Sequence, residues 1–330
     1  MNKTSRILIF FLAAMILSSC MDKERQGLKP MVSGKPGEVL LVIDTYLWES
    51  AFGEFFTEMC SEPFEALPVD EPIYDLIHIP SNGFNKLFKS HRNIFLTKIS
   101  SQHKEPRIIV QKDLWAYPQL VVNLIGPNDS TMITYLEENR ERLISLLEVD
   151  ERNRTILNYR KNRAKGIDEI LKSGHGLSIS VPAGYEVGVD SNDFIWLSHE
   201  VADMSQGVFL YYYPYTDTNT FTSEYLIKKR DEYLRKYVAG PTKGSYMKTE
   251  TRYPVIRNEM AKDGKYLVEL RGLWNLEKAF MGGPFISHTI LDEKNNRVVT
   301  VGGFVYAPSL DKRNYVRELE AILQTFELVD

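Results

Sequence analysis

The spacing of hydrophobic positions changes several times along the chain, and each change marks a segment. Residues 7–17 are an unbroken apolar run behind Lys3 and Arg6, and residues 21–27 are a polar stretch with Asp22, Lys23, Glu24, Arg25 and Gln26 in succession. Pro30, Gly34, Pro36 and Gly37 extend that polar stretch. Over 38–44 the apolar residues are continuous again, as in a strand buried on both faces. Phe52, Phe55, Phe56 and Met59 then recur at helical spacing within a predicted helix over 48–60. Strands are predicted over 74–79, 93–96, 107–110 and 119–125, with a short helix over 83–88. Gly126, Pro127, Asn128 and Asp129 stop the last strand. Asp129 or Ser130 is the expected cap of a helix whose apolar face carries Ile133, Leu136, Leu143, Ile144 and Leu147.

Charge dominates residues 150–172, where seven Lys and Arg side chains face four Asp and Glu. Such a run reads as the solvated face of a connecting helix, with Ile156, Tyr159, Ile167 and Ile170 as a thin core stripe. Ser173-Gly174-His175-Gly176 ends it. Strands follow over 177–182, 193–199, 207–213, 251–256, 265–273, 285–291 and 297–305. A helix capped by Thr222 or Ser223 runs to about Val238. The last helix is expected to be capped by Asp311 and to pack through Val316, Leu319, Ile322, Leu323 and Phe326. The whole reads as α+β: two α/β-sandwich domains with mainly antiparallel sheets. Their expected bounds are an N-terminal domain over 38–149, a charged linker helix over 150–173 and a C-terminal sandwich over 174–330.

Composition narrows the chemistry. A net charge of −4 gives no global attraction for nucleic acid. Two cysteines exclude a disulfide framework, a four-cysteine zinc site and a cysteine-ligated iron–sulfur cluster. The apolar run over 7–17 is shorter than the ~20 residues a membrane-spanning helix needs, and it has the length of a signal-peptide core. Leu17-Ser18-Ser19-Cys20 behind it resembles the lipobox of bacterial lipoproteins. That resemblance implies a signal peptide over 1–19, acylation of Cys20, and a flexible tether over 20–37. Losing Lys3 and Arg6 then lowers the formal charge by two. The expected place is the cell envelope, lipid-anchored at the outer membrane, with the membrane itself as a partner through the anchor. Cys60 is expected to be a buried, inert thiol.

Catalytic signals are scarce. His199-Glu200-Val201-Ala202-Asp203 resembles a zinc-protease motif with Asp in place of the second histidine, yet it follows the alternating strand 194–198 where a helix is required. No G-x-S-x-G elbow, P-loop or G-x-G-x-x-G occurs, and the remaining histidines lack metal spacing. No catalytic residue, metal or cofactor is predicted. The aromatic run Phe209-Leu210-Tyr211-Tyr212-Tyr213-Pro214-Tyr215 is richer in tyrosine than one sheet face requires. With Trp196 and Trp274 nearby, Tyr211, Tyr212, Tyr213 and Tyr215 form a candidate binding surface. Asp129-Ser130-Thr131 resembles the O-glycosylation sites of Bacteroidetes envelope proteins, which makes Ser130 the candidate acceptor.

Two segments carry a fold resemblance. Ser178-Ile179-Ser180-Val181-Pro182-Ala183-Gly184-Tyr185 and Gln324-Thr325-Phe326-Glu327-Leu328 resemble the opening and closing runs of the Mog1/PsbP-like α/β/α sandwich. The whole chain, from the lipobox through Trp196, the tyrosine run and Gly302-Gly303-Phe304, is similar to the DUF4837 lipoproteins of Bacteroidetes. The resemblance implies a location and a fold and no catalytic residue. The expected role is a non-enzymatic binding or assembly module for an envelope protein or glycan. The alternative is a hydrolase acting on an envelope polymer between the two domains.

Overall fold

The computed structural model describes residues 29–329; the expected signal peptide, Cys20 and the first part of the expected tether lie outside the described residues. Two compact units are present. One comprises the chain up to Met59 together with Tyr74–Leu143, and the other comprises Cys60–Ile73 together with Ile144–Asp330.

In the first unit, β1 (Glu38–Val42), β2 (Asp75–Ile79), β3 (Asn93–Ile99), β4 (Arg107–Lys112) and β5 (Leu120–Gly126) form one sheet in the order β2-β1-β3-β5-β4. Antiparallel pairing predominates over the described residues as a whole, as expected, and this sheet is the exception: only β4 runs antiparallel to its neighbour. The continuous apolar character of β1 follows from burial on both faces. Leu40 and Val42 pack with Ile94 and Val121 on one side. On the other, helix α1 (Ala51–Ser61) brings the Phe56 ring to 5.4 Å from Phe95. Cys60, at the end of α1, is buried. Helix α2 (Asp129–Glu138) is capped by Asn128 rather than by Asp129 or Ser130. Asn128 has the extended backbone a cap requires, and its side chain accepts the Thr131 N–H at 2.9 Å. Ser130 is exposed in the first turn of α2.

The segment expected to be a solvated linker lies inside the second unit. Helix α3 (Arg140–Lys161) passes into it, followed by α4 (Lys165–Ile170) and a π-helical turn over Leu171–His175. Some charges of this segment are buried in pairs. Arg154 is buried and donates to Glu151 at 2.8 Å. Asp168 is buried with Lys172 Nζ and Ser178 Oγ each at 2.8 Å. Arg160, Lys161, Arg163, Lys165, Glu169 and Lys172 are exposed, and the charges that are buried have partners, because a paired ion can be buried where a single one cannot.

After this segment comes the short opening strand β6 (Leu177–Ser178), and the core of the unit is an antiparallel sheet of eight strands. They are β7 (Glu186–Ser191), β8 (Phe194–Val201), β9 (Met204–Pro214), β10 (Tyr246–Thr249), β11 (Ile256–Lys262), β12 (Lys265–Glu277), β13 (Gly282–Asp292) and β14 (Arg297–Tyr306). The order is β10-β12-β13-β14-β9-β8-β7, with β11 also pairing along β12. β11 begins where the expected strand over 251–256 ends, because Glu250 accepts from both the N–H and the guanidinium of Arg252 and turns the chain locally. β6 pairs with the closing strand β15 (Glu327–Leu328), so the two segments that carry the fold resemblance meet each other.

Helix α5 (Ser223–Tyr237) covers one sheet face through Leu226, Arg230 and Leu234, and α6 (Arg313–Gln324) covers the other. Gly302 and Gly303 allow both approaches. A Cβ on Gly302 would meet the Phe209 ring at 2.6 Å, and one on Gly303 would meet Leu319 of α6 at 2.7 Å. Asp311 does not cap α6. That role falls to Glu71, whose carboxylate accepts from the backbone N–H groups of Lys312 and Arg313 at 2.7 and 2.8 Å. Arg313 and Arg317 return bonds to the carbonyls of Pro72 and Ile73, which ties the Cys60–Ile73 segment to this unit.

Candidate functional site

The tyrosine run divides between the two faces of β9, as strand periodicity requires. Phe209, Tyr211 and Tyr213 point under α5 and join the core with Phe194, Leu226, Leu234 and Trp274. Tyr211 stacks on Tyr233 at 4.5 Å, and Trp274 donates its indole N–H to the Val305 carbonyl at 3.2 Å. Tyr211, Tyr213 and Trp274 are thus core residues, a correction to the expected aromatic surface. Trp196 and Tyr215 are half-buried at the edge of the same cluster. The physical reason is the position of α5: a helix laid along the sheet converts an aromatic face into an interface.

Within the run, Tyr212 takes the opposite face. Its hydroxyl donates to the Asn192 carbonyl, and the Arg297 guanidinium lies 4.3 Å from its ring centre. His175 Nδ1 stands 3.2 Å from the same hydroxyl, and its Nε2 stands 2.9 Å from Asp190. A hydroxyl, an imidazole and a carboxylate in line resemble a nucleophilic relay. However, the Tyr212 proton is committed to Asn192, leaving the oxygen only lone pairs for His175. Burial, opposed by Arg297, raises the Tyr212 pKa and disfavours its phenolate further. The cluster works as a structural brace for the π-helical turn, whose His175 carbonyl accepts from Arg297 at 2.9 Å.

A second polar cluster lies on the α6 side of the sheet. Glu269 accepts from His288 Nε2 at 3.0 Å and from Arg271 Nε at 2.7 Å, and Arg271 also binds Glu320 of α6. Burial raises the cost of the Glu269 charge, but His288 and Arg271 hold its carboxyl well below the usual range. The charges are spent on each other, while His288 Nδ1 is buried without a hydrogen-bond partner among the described residues. Among the described residues no group of three His, Cys, Asp or Glu side chains is arranged to hold a metal ion. His199 and Glu200 lie on β8, where neighbouring side chains point to opposite faces.

An open concavity of about 550 Å³ lies at the start of α5, lined by Thr218, Phe221, Thr222, Ser223, Arg257 and Tyr266. Its volume falls in the range typical of small-molecule sites. The Phe221 and Tyr266 rings meet edge to face at 5.5 Å and 77°. Arg257 is held in place by the Phe221 carbonyl at 3.2 Å, the Tyr266 hydroxyl at 3.0 Å and the Glu259 carboxylate. That carboxylate, hydrogen-bonded by Arg257, sits below its ordinary pKa, so both partners stay charged. Three hydroxyl side chains, from the turn before α5 and its first residue, complete the wall, and Tyr266 remains 45% exposed. Sequence reasoning misses this set because its members come from two stretches more than thirty residues apart. Its one visible trace is the hydroxyl-rich run over 218–223, which by itself reads only as a helix cap.

Residues 32–160 match the model of a domain of unknown function, DUF8532, and residues 164–325 match that of another, DUF4837. No curated protein matches the chain. Among solved structures, the Ran-binding protein Mog1p of Saccharomyces cerevisiae is similar over 48% of this chain and 92% of its own, at 10% identity and a TM-score of 0.33. A point mutant of Mog1 is similar over 48% and 93%, at 12% identity and a TM-score of 0.28. The residues that match the DUF4837 model, 164–325, contain the antiparallel sheet and both of its covering helices.

Proposed function

We propose that the protein is a lipid-anchored binding module of the bacterial cell envelope that holds a saccharide in the Phe221–Tyr266–Arg257 concavity. The single observation that carries the reading is the make-up of that wall: two aromatic rings, one oriented guanidinium and three hydroxyls around an accessible hollow. Aromatic faces cover the C–H faces of a sugar ring, while hydroxyls and guanidinium bond its oxygens, and neither requires a nucleophile. Arg257 is already oriented by three partners, so little side-chain entropy is lost when a ligand arrives. The anchor rests on Leu17-Ser18-Ser19-Cys20 behind a short apolar run.

Electrophoresis in native gels containing envelope polysaccharide tests the site. Wild-type protein should be retarded, and Tyr266→Ala should migrate as it does without polysaccharide while keeping the wild-type melting temperature. Equal retardation of both proteins would remove the concavity as the site. Capture of an envelope protein through the same residues would move the reading to a protein partner. Cys20→Ala should release the protein from acylated-lipoprotein fractions, and unchanged fractionation would remove the anchor.

A further inference from the structure

We infer that the β12–β13 hairpin is a membrane-contacting tip that inserts Phe280 into a bilayer bearing anionic headgroups. Between β12 and β13, Ala279 and Met281 pack back into the domain core, while the Phe280 side chain between them is fully exposed. Lys278, at φ 63, takes the left-handed turn that sends the ring outward. A single apolar side chain held wholly in water by a closed hairpin gains nothing from folding. It gains on transfer into a headgroup–acyl boundary.

The surroundings of the tip identify the surface it fits. The loop after α5 is joined to the hairpin by the Thr242 hydroxyl, which donates to the Lys278 carbonyl at 3.3 Å. It brings Lys243, which is exposed. β10 pairs Tyr246 with Glu277, and Arg235 of α5 lies over the Tyr246 ring at 4.6 Å. Lys248 is 2.6 Å from Glu277. Arg235, Lys243, Lys248 and Lys278 therefore lie on the elements beside the hairpin that carries Phe280, and the carboxylates near them are Glu277 and Glu250, the latter paired with Arg252. No Asp or Glu occurs from Tyr233 to Thr249 in a chain whose net charge is −4. A local excess of cations around a protruding ring, on an acidic protein, is complementary to an anionic lipid surface.

This inference does not rest on the saccharide site, which uses other residues and another measurement. Full-length Phe280→Trp is mixed with vesicles of brominated phosphatidylcholine and phosphatidylglycerol, with Leu157→Trp on α3 as the control. The wild-type signal is subtracted from both, so that only the introduced indole is read. Emission from the Phe280→Trp variant should shift to the blue and be quenched several-fold more than that from Leu157→Trp. Adding Lys243→Glu and Lys278→Glu should abolish the difference, since each lysine near an anionic surface is worth on the order of fivefold in partitioning. All of these side chains are exposed, so the variants keep the fold. Quenching of Phe280→Trp no stronger than that of Leu157→Trp would overturn the inference. So would quenching that survives either the charge reversal or the omission of phosphatidylglycerol.

Discussion

The guanidinium of Arg230 lies 3.9 Å from the centre of the Phe285 ring, in the middle of the face that α5 buries. Arg230 is among the largest fully buried side chains of the protein. Burial lowers its pKa, opposed by Asp231, whose carboxylate accepts from it at 3.1 Å. Thr249 Oγ1 accepts a further bond at 3.1 Å and ties the helix to β10. An arginine is tolerated here because its planar head meets both aromatic rings and hydrogen-bond acceptors.

The Arg230 site predicts two opposite outcomes. Asp231→Ala leaves a buried cation without its counter-charge and should cost about 3–5 kcal/mol. Arg230→Met keeps the apolar volume, removes the charge altogether, and should leave stability unchanged or raise it. Chemical denaturation of both variants checks this. If Arg230→Met proves as unstable as Asp231→Ala, packing rather than charge governs the site.

Neighbouring tyrosines on β9 should respond to the same substitution with opposite signs. The buried Tyr213 hydroxyl has no hydrogen-bond partner among the described residues, so Tyr213→Phe should stabilise the protein by about 1 kcal/mol. Tyr212→Phe loses the bond to the Asn192 carbonyl and should cost about 1 kcal/mol. Thermal melts of the two single variants decide it. Loss of stability in Tyr213→Phe would show that its hydroxyl is satisfied in solution.

Acid should weaken the second unit through Glu269. Its folded pKa lies below the unfolded value of about 4.3, so its contribution is complete above that value and disappears as the pH falls toward the folded pKa. Denaturation midpoints should therefore drop steeply below about pH 4.3 in the wild type. Glu269→Gln should start lower by about 3–5 kcal/mol at neutral pH, because it breaks a buried pair, and then decline less steeply. Parallel slopes for the two proteins would assign the acid sensitivity to other carboxylates.

Much of the architecture was legible because it depends on periodicity. The apolar run over 38–44, the helical spacing of Phe52 to Met59 and the single apolar face of α6 each encode an element in neighbouring residues. The glycine pair at 302 and 303 was visible only as part of a resemblance. Its meaning came from Phe209 on one side and Leu319 on the other. The concavity was not legible, since Phe221 and Tyr266 are brought together where the turn before α5 meets β11 and β12.

By itself, the sequence determined the apolar stripes, the alternation of β9 and the separation of its aromatic residues into two sets, because covalent geometry assigns each side chain to a face. It could not say which set would be covered. Only the tertiary structure decided that α5 lies over Phe209, Tyr211 and Tyr213, that Arg230 is buried while Phe280 is exposed, and that Glu71 caps a helix some 240 residues away. The physical reason is that burial and hydrogen-bond satisfaction are properties of what approaches a residue from elsewhere. A carboxylate at 71 and a helix start at 313 carry no mark of each other until the chain has closed.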